Sequence, residues 1–525
     1  MGIYINKGNG EFRSARKGEY VDKSGLISVV NNTVGSERRF SCVTRGRRFG
    51  KSMAAKMLYA YYDHSCDSRQ LFADLEIARD PSFEEHLNKY PTIFLDMTRF
   101  TSRTDGTGMV ENIEQRLTEE ISEAYPDVPR KESDDMMDFL LRIADTTGES
   151  FVFIIDEWDA PCRIFDPKTN AMDNYVDWLR RMFKDVTAMK AFAAVYMTGI
   201  LPIKKYKTES ALKNFTEYSM VDPGDMGGFF GFTKDEVRQL AAKYGMDYDD
   251  LEKWYDGYRI GDELSMFNPN SVVEAVRRRR CRSFWTATGS FDAVAGYINQ
   301  NYDGLKEGIV KMLAGGREKV DPTHFQNDMS VVLSKDDVYT VLIHLGYLGY
   351  DWQRNECYIP NREVGGEMVN AVKENKWGEV VKALEQSEKL LNATLCGDAD
   401  YVAASLDEAH AEHSSIFKYN DENSLSCVIS IAYYYARNDF HFIRELPTGK
   451  GFADIVFLPR KNVDKPALVI ELKNNKSAKA AIDQIKNRNY PQQIEKYTGD
   501  ILLVGINYDE DAKKHECTIE QWRKD

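Results

Sequence analysis

Four short, continuously apolar runs alternate with helix-like segments through the first 220 residues. These runs are FSCVT (40–44), TIFLDM (92–97), FVFIID (151–156) and FAAVYMTG (192–199). Each is too short and too uniformly apolar for a surface helix, but a strand buried on both faces has this composition. Strands that alternate with helices predict a parallel sheet covered by helices on both faces. YSMV (218–221) is a candidate fifth strand of that sheet.

A phosphate-binding loop is predicted where the first strand meets the helical pattern SMAAKMLYAYYD. RGRRFGKS (45–52) fits the pattern G-x-x-x-x-G-K-[ST], except that Arg45 occupies the position of the first glycine. Such a loop needs a strand before it and a helix whose N-terminus faces the anion, and both are predicted here. Lys51 would neutralise the β- and γ-phosphates, and Ser52 would ligate Mg²⁺. The motif alone leaves a chance G-K-S open.

Acidic residues at the end of the third strand favour the nucleotide interpretation. Asp156 and Glu157 follow the run FVFII, where an aspartate can hold Mg²⁺ and a glutamate can polarise an attacking water. Solvated turn residues are the alternative for this pair. Thr198 ends the next strand, where it would either sense the γ-phosphate or cap the strand. Two half-motifs in the expected order predict a nucleotide site, with Ser52 and Asp156 as candidate Mg²⁺ ligands.

Several segments resemble one known family. YVDKSGLI, RGRRFGKS, FIIDEWDAP and YMTGILPI are similar to motifs of the bacterial AAA-ATPase-like proteins, and WYDGYRIGDELSMFNPNSVVEAV is similar to their helical lid. The resemblance spans residues 3–290 and implies an α/β domain that binds ATP, often with arginine in place of the first loop glycine. The implied nucleotide contacts are Arg45, Gly46, Arg47, Arg48, Phe49, Gly50, Lys51, Ser52, Met53 and Thr198. For the three arginines, charge beside the phosphates and structural support of the loop both stay open.

A second group of charged residues lies near the C-terminus, in GKGFADIVFLPRKNVDKPALVIELKNN. Asp454 lies on the first of two predicted strands; Glu471 and Lys473 lie two residues apart on the second, so they project to the same face. Two carboxylates that hold Mg²⁺ and a lysine that orients water form a minimal device for phosphodiester hydrolysis. The alternative is an edge hairpin with a surface ion pair, but unpaired charges at the ends of apolar strands would be costly.

This region resembles the PD-(D/E)xK nuclease superfamily over residues 415–520. By that likeness Asp454 and Glu471 bind metal, Lys473 is catalytic, and Gln484 supports the site. The likeness also offers a supporting place to Glu422, near the start of a helix that precedes the strands; Tyr490 lies in the same predicted helix as Gln484, after the strands. The family often has an arginine where Phe452 stands, and this departure puts metal-dependent cleavage in doubt while leaving the fold prediction intact.

The middle of the chain offers two weaker signals. LIHLGYLGYDWQRNECYIPNREV predicts a helix and a β-hairpin, similar to a winged-helix-like module that would either bind DNA or bridge two domains. A bridge is the commoner outcome. RRRRCR (277–282) would either grip phosphates or place solvated cations at a helix C-terminus, and the second interpretation is favoured.

Composition restricts the environment of the protein. The formal charge of −14 gives no chain-wide basic footprint for nucleic acid, although a local basic groove is compatible with it. The eight cysteines are scattered without a C-x-x-C pair, which suits a reducing cytosol. The N-terminus lacks the apolar core of a signal peptide, and no run approaches 18 apolar residues. A cytoplasmic protein without a membrane span is therefore expected.

Together these patterns predict an α/β fold with four parts. They are an AAA-like P-loop ATPase core (1–220), a helical lid (221–300), a winged-helix-like and helical connector (301–410) and a restriction-endonuclease-like domain (411–525). The expected function is ATP hydrolysis coupled to Mg²⁺-dependent cleavage of nucleic acid, with DNA as the expected substrate. Defence and mobile-element maintenance are both compatible with this function. The alternative is a nucleotide-dependent switch whose nuclease-like domain only binds nucleic acid or a protein. The ATPase resemblance also suggests a homo-oligomer.

Overall fold

The chain forms two compact units, and the second interrupts the first in sequence. The first comprises residues 1–290 and 319–366, and the second comprises residues 291–318 and 367–525. The computed structural model describes residues 2–102, 106–166, 169–184, 187–203, 205–206, 209–210, 212–261, 264–285, 302–326, 332–374, 378–413, 429, 432–448, 451–460, 463–487 and 500–522. Among these residues, no helix is both long and apolar enough to cross a membrane.

A five-stranded sheet forms the centre of the first unit. Its strands run in the order β2-β3-β4-β1-β7, and each neighbouring pair is parallel. The strands of residues 1–290 are β1 (Phe40–Thr44), β2 (Thr92–Asp96), β3 (Phe151–Asp156), β4 (Phe192–Gly199), β5 (Lys205–Tyr206), β6 (Glu209–Ser210), β7 (Thr216–Tyr218), β8 (Tyr258–Ile260) and β9 (Leu264–Met266). The four predicted apolar strands are confirmed; the fifth begins and ends earlier than 218–221.

Helices cover both faces of this sheet because its strands are apolar on both sides. On β3, Phe153 and Ile155 join one core cluster, while Val152 and Ile154 join the other, as expected when successive side chains alternate. The α-helices of this part are α1 (Gly10–Arg16), α2 (Gly25–Asn31), α3 (Lys51–Tyr62), α4 (Arg69–Phe72), α5 (Phe83–His86), α6 (Met97–Thr101), α7 (Met109–Ala124), α8 (Met136–Thr147), α9 (Ala160–Ile164), α10 (Ala171–Phe183), α11 (Ala188–Ala191), α12 (Lys234–Tyr244), α13 (Tyr248–Tyr255) and α14 (Pro269–Arg278).

The last three of these helices pack around a small core of their own and form the region that the sequence assigned to a lid. Thr233 caps α12 through a reciprocal pair of hydrogen bonds with Glu236, as a capping box requires. The segment 233–260 has threonine and acidic residues at its start, as a helix N-terminus should, and is predicted to be helical throughout, but the structure divides it. Gly245 ends α12 in the left-handed conformation (φ 67°), and the stretch finishes as strand β8 rather than as helix.

The part of the first unit beyond residue 318 is a helix followed by a β-hairpin, as predicted. Helix α16 (Lys335–Leu345) ends at Gly346, whose φ of 86° is the usual glycine conformation at a helix C-terminus. Strands β11 (Gly349–Asp351) and β12 (Glu356–Tyr358) then pair antiparallel, and β10 (Glu318–Lys319) lies beside β12.

The second unit contains a mixed sheet in the order β13-β14-β15-β16-β17. Only β15 and β16 are parallel; the other neighbours are antiparallel. Its strands are β13 (Phe440–Thr448), β14 (Gly451–Pro459), β15 (Ala467–Asn474), β16 (Ile501–Asp509) and β17 (Lys514–Trp522). The remaining helices of the chain are α15 (Leu305–Leu313), α17 (Arg362–Glu374), α18 (Gly378–Leu395), α19 (Ala399–His413) and α20 (Ala478–Asn487). The short 3₁₀ helices are Glu76–Arg79, Gly224–Phe229, Tyr302–Gly304, Pro322–His324 and Tyr434–Asn438.

Candidate functional site

The strand order of the first sheet brings the predicted magnesium ligands together. β4 lies between β1, which leads into the phosphate loop, and β3, which ends at Asp156. Thr198 on β4 donates a hydrogen bond to the Asp156 carboxyl group, and the Ser52 side chain bonds the same group. Burial raises the pKa of Asp156, and these two hydrogen bonds oppose that effect. A hydroxyl and a carboxylate therefore meet at the edge of the sheet, as a magnesium site requires.

Lys51 is held by its own loop. Its Nζ atom donates to the carbonyl oxygens of Arg45 at 2.9 Å and Gly46 at 3.0 Å. The side chain is almost fully buried, and burial lowers its pKa, although Glu157 and two neighbouring aspartates oppose this. The ammonium group thus donates to backbone carbonyl oxygens, and a bound phosphate would compete with them for its hydrogen bonds.

The three loop arginines have different environments. Arg45 is fully buried, and its guanidinium donates to the carbonyl oxygens of Thr44 and Tyr218, so it supports the loop from β1 and β7. Its burial lowers the pKa of Arg45 to about 10. Arg47 and Arg48 are half-buried, and Arg48 donates to the backbone carbonyl of Phe284 in the lid region. The contacts of Arg45 thus agree with the interpretation in which this arginine supports the structure of the loop.

Residues far along the first unit pack onto the loop. The backbone amide of Gly231 donates to the carbonyl oxygen of Phe49 at 3.2 Å. The Phe49 ring meets the Tyr258 ring edge-on, with centroids 4.8 Å apart. Tyr258 in turn donates its hydroxyl hydrogen to the carbonyl oxygen of Gly346 at 2.8 Å. The lid region and the helix–hairpin segment therefore both support the phosphate loop.

Arg163, which is not among the predicted site residues, holds the Glu157 side chain in place. Arg163, on α9, forms an ion pair with the Glu157 carboxylate, and its Nε atom also donates to Asp159 at 2.9 Å. Asp159 is fully buried and accepts hydrogen bonds from the backbone amides of Ile200 and Leu201, directly after β4. Burial raises the pKa of Glu157, and Arg163 opposes this shift. The separation of Asp159 and Arg163 by four residues in a helix was the available signal.

A cavity of about 360 Å³ opens beside the phosphate loop. Of the predicted nucleotide contacts it is lined by Arg48, Phe49, Gly50, Lys51, Ser52 and Met53, and Glu157 also lines it. Its other walls are largely apolar; Met57 comes from α3 itself, and three distant segments of the chain contribute Tyr20, Val21, Phe229, Phe232 and Val273. An apolar slot beside a phosphate loop suits a nucleotide base. No local spacing pattern connects these walls, so they could not be found from the sequence.

The C-terminal charged residues also lie together. The Asp454 carboxylate accepts a hydrogen bond from the backbone amide of Leu472 at 2.8 Å, on the neighbouring strand. Glu471 is almost fully buried, and Lys473 donates to it at 2.9 Å, as expected for two residues on the same face of β15. Gln484 on α20 donates to the same Glu471 oxygen. Four residues that the sequence grouped by resemblance are thus connected through Glu471 and its strand.

A glycine on β16 allows helix α20 to reach this site. A Cβ atom on Gly505 would come within 2.2 Å of the Ala478 carbonyl oxygen, in the first turn of α20. Gly505 pairs with Glu471 across the parallel ladder, so the helix packs directly over the strand that carries the carboxylate. The close approach therefore positions Gln484, which lies six residues after Ala478 in the same helix.

Three residues named for this region lie wholly or partly outside the described part of the chain. Phe452 lies on β14, where its backbone pairs with Pro447, but its side chain lies outside the described residues, as do Glu422 and Tyr490. Among the residues that the structure describes, no group of three or more histidine, cysteine, aspartate or glutamate side chains is placed to hold a metal ion. A metal ion at Asp454 and Glu471 would therefore depend on these two carboxylates and water, a ligand set that Mg²⁺ accepts.

The fold and its loop define an α/β protein with a P-loop, AAA-like ATPase part and a C-terminal restriction-endonuclease-like part. Residues 8–208 match the family model described as "Predicted AAA-ATPase". Residues 421–522 match the model of the PD-(D/E)XK nuclease superfamily. The two-part architecture predicted by resemblance is confirmed. No curated protein matches the chain.

Solved structures give a weaker likeness. An Orc1 protein of Aeropyrum pernix, solved in complex with DNA, is 11% identical; the alignment covers 71% of this chain and 98% of that one, with a TM-score of 0.25. Cdc6p of Pyrobaculum aerophilum is 9% identical, with coverages of 67% and 93% and a TM-score of 0.22. The Orc2 protein of Aeropyrum pernix is 11% identical, with coverages of 67% and 92% and a TM-score of 0.24. These scores are too low to carry any conclusion about this chain.

Proposed function

We propose that the protein hydrolyses ATP with Mg²⁺ and cleaves nucleic acid at a second, metal-dependent site. DNA is the proposed substrate, and the activity of the second site depends on the bound nucleotide. The observation that carries this proposal is that one chain holds two buried, hydrogen-bonded charged groups. One joins Ser52, Thr198 and Asp156; the other joins Lys473 and Gln484 to Glu471. A cytoplasmic location and assembly of several copies belong to the same proposal.

In the ATPase site, the chain's own residues divide the work. Lys51 leaves its two loop carbonyls and neutralises the phosphates, while the backbone amides of the loop surround their oxygens. Glu157 accepts a proton from the attacking water, held in place by Arg163. Ser52 and Asp156 would hold Mg²⁺, which supplies charge neutralisation of the phosphate oxygens.

In the nuclease site, Asp454 and Glu471 would hold Mg²⁺, which supplies Lewis-acid polarisation of the phosphodiester. Lys473 lies within hydrogen-bond distance of Glu471 and can orient the attacking water. Gln484 donates to the same Glu471 oxygen as Lys473 and so helps to keep the carboxylate in one orientation. Each of these residues is supplied by a strand or helix, which favours a fixed geometry.

The test is a cleavage assay with and without ATP on single- and double-stranded DNA and RNA. The wild-type protein is compared with Lys51→Ala and Asp454→Asn. We expect ATP to change the wild-type cleavage rate, Lys51→Ala to remove that dependence, and Asp454→Asn to abolish cleavage while ATP turnover persists. Cleavage that ignores ATP contradicts the coupling. If no substrate is cleaved and calorimetry finds no Mg²⁺ or Mn²⁺ binding at Asp454 and Glu471, the nucleotide-switch alternative replaces the nuclease.

A further inference from the structure

Helix α14 ends in a dense group of positive charges. RRRRCR (277–282) places five arginines within six positions of a chain whose formal charge is −14. The side chains of all five arginines are exposed. Arg277 and Arg278 form the last turn of the helix, Arg279 is its C-cap, and Arg280 and Arg282 lie beyond it.

The helix end explains only part of this group. Cations in the last turn of a helix interact favourably with its dipole, and the effect falls off within that turn, so it accounts for Arg277 and Arg278. Arg279 has φ 51° and ψ 37°, the left-handed conformation for which glycine is the usual residue. Arginine at that position is unfavourable for the backbone. Its presence, with two more arginines outside the helix, indicates a use for the charge itself.

Most of these arginines also lack a carboxylate partner. Arg278 forms an ion pair with Glu274 at 2.7 Å. Over the part of the chain that the structure describes, no ion pair joins Arg277, Arg279, Arg280 or Arg282 to an acidic side chain. We call these four residues the arginine patch.

Two carboxylates act electrostatically on this segment, those of Glu19 and Asp250. Burial raises the pKa of Glu19, but the hydrogen bonds from Lys243 and Tyr244, with smaller contributions from the charges of Lys243 and Arg277, lower it overall. That carboxylate already binds Lys243 and Tyr244. Asp250 lies near Cys281 and forms no ion pair with the patch within the described residues. The arginines of the patch therefore repel one another, and within the described residues no direct ion pair offsets that repulsion.

An aromatic ring holds two guanidinium groups in place here. The guanidinium carbons of Arg278 and Arg282 lie 5.5 Å and 5.1 Å from the centroid of the Phe284 ring. That ring is 9% exposed and belongs to the core of the lid region, and its backbone amide donates to Glu363 at 2.6 Å. A cation restrained by a buried ring loses less conformational freedom when it binds an anion.

We propose that the arginine patch binds the phosphodiester backbone of a nucleic acid, through residues other than those that would cleave it. Guanidinium groups match phosphate oxygens bidentately, and a run of phosphates relieves the repulsion among adjacent arginines. The choice of nucleic acid among polyanions rests on the proposed function; the presence of an anion site rests on the patch alone.

The test measures binding of fluorescein-labelled DNA and RNA duplexes by anisotropy, with full-length protein, at several salt concentrations and with EDTA to prevent cleavage. The variant combines Arg277→Ala, Arg279→Gly and Arg280→Ala. Glycine keeps the left-handed turn, and Arg278 and Arg282 stay on the Phe284 ring. The matched control combines Lys89→Ala, Lys131→Ala and Lys190→Ala, three exposed cations of the same unit. ATP binding by each variant reports that the first unit is folded.

We expect the patch variant to bind DNA and RNA at least about tenfold more weakly and to lower the salt slope by about 2 to 3, since each released phosphate contact contributes about 0.9. The control variant should bind within about twofold of wild type. Equal affinities and slopes for wild type and patch variant overturn the proposal, as does an equal loss in the control. Competition by poly-glutamate as strong as that by DNA at equal charge overturns nucleic acid as the partner. A wild-type protein that cleaves no substrate with Mg²⁺, yet binds DNA more weakly when the patch is substituted, leaves the inference standing while the nuclease assignment fails.

Discussion

The backbone of Gly46, in the phosphate loop, packs directly against the backbone of Gly346, at the end of α16. A Cβ atom built on Gly46 would lie 3.1 Å from the Gly346 Cα atom and 3.2 Å from the Leu345 carbonyl oxygen. Both neighbours are backbone atoms, which move less readily than the end of a flexible side chain. The absence of a side chain at position 46 therefore lets the helix–hairpin segment contact the loop.

Gly46→Ala should destabilise the first unit by about 1 to 3 kcal/mol, since the added methyl group overpacks a backbone contact. Denaturant unfolding followed by circular dichroism measures the change. The control is Gly366→Ala, where nothing lies within 4 Å of the new Cβ atom and the residue is inside helix α17. There we expect a gain of about 0.5 to 1 kcal/mol from helix propensity. A Gly46→Ala protein as stable as wild type would contradict the close packing.

Lys51→Ala should weaken ATP binding by about tenfold to a hundredfold, because it removes a charge-assisted contact with the phosphates. Isothermal titration calorimetry with a non-hydrolysable ATP analogue measures the affinity. Lys56→Ala is the matched control, since Lys56 lies on the same helix but pairs with Glu11 at the surface. Unchanged affinity in Lys51→Ala would refute the phosphate-loop interpretation of residues 45–52.

Arg163→Met should lower ATP turnover by about tenfold or more and shift the acid limb of its pH profile upwards. Burial already raises the pKa of Glu157, and the positive charge of Arg163 opposes that shift. A base acts only when deprotonated, so activity is lost as pH falls through its pKa; removing Arg163 raises that pKa further and moves the loss to higher pH. Arg163→Lys should restore part of the shift. If the profile of Arg163→Met matches wild type, Arg163 does not position Glu157.

Two variants of the nuclease site should differ in degree. Asp454→Asn should reduce cleavage to background because it removes one of two carboxylates, whereas Gln484→Ala should cost about 10- to 100-fold because it only releases Glu471. Cleavage of a labelled duplex with Mg²⁺ measures both. Asp483→Asn removes an exposed carboxylate one position before Gln484 and should cleave as wild type does. Full activity in Asp454→Asn would exclude this site as the place of cleavage.

The parts of the fold that could be predicted are those in which the pattern is local. β1 and β3 have the predicted bounds because a strand buried on both faces must be apolar throughout. β17 was not predicted because its sequence, KHECTIEQW, is polar and half-exposed, as an edge strand can be. The break at Gly245 has a signal in the sequence, a glycine after a last turn that contains Lys243, but the helical pattern on both sides obscured it.

The site shows the same division. Lys51, Ser52 and Asp156 could be grouped because a strand and a helix fix their places, and the structure brings them together. The walls of the adjoining cavity could not, because they come from segments more than 200 residues apart along the chain, such as Tyr20 and Phe232. Their proximity is a property of tertiary packing, which leaves no spacing to read.

The order of synthesis follows from the interrupted first unit. Gly46 emerges from the ribosome early, but Gly346, against which it packs, lies in a segment that follows residues 291–318 of the second unit. The phosphate loop therefore acquires its full set of neighbours only after most of the polypeptide has been translated. A nascent chain arrested before residue 319 would carry Lys51 and Ser52 without the contact that Leu345 and Gly346 make with their loop.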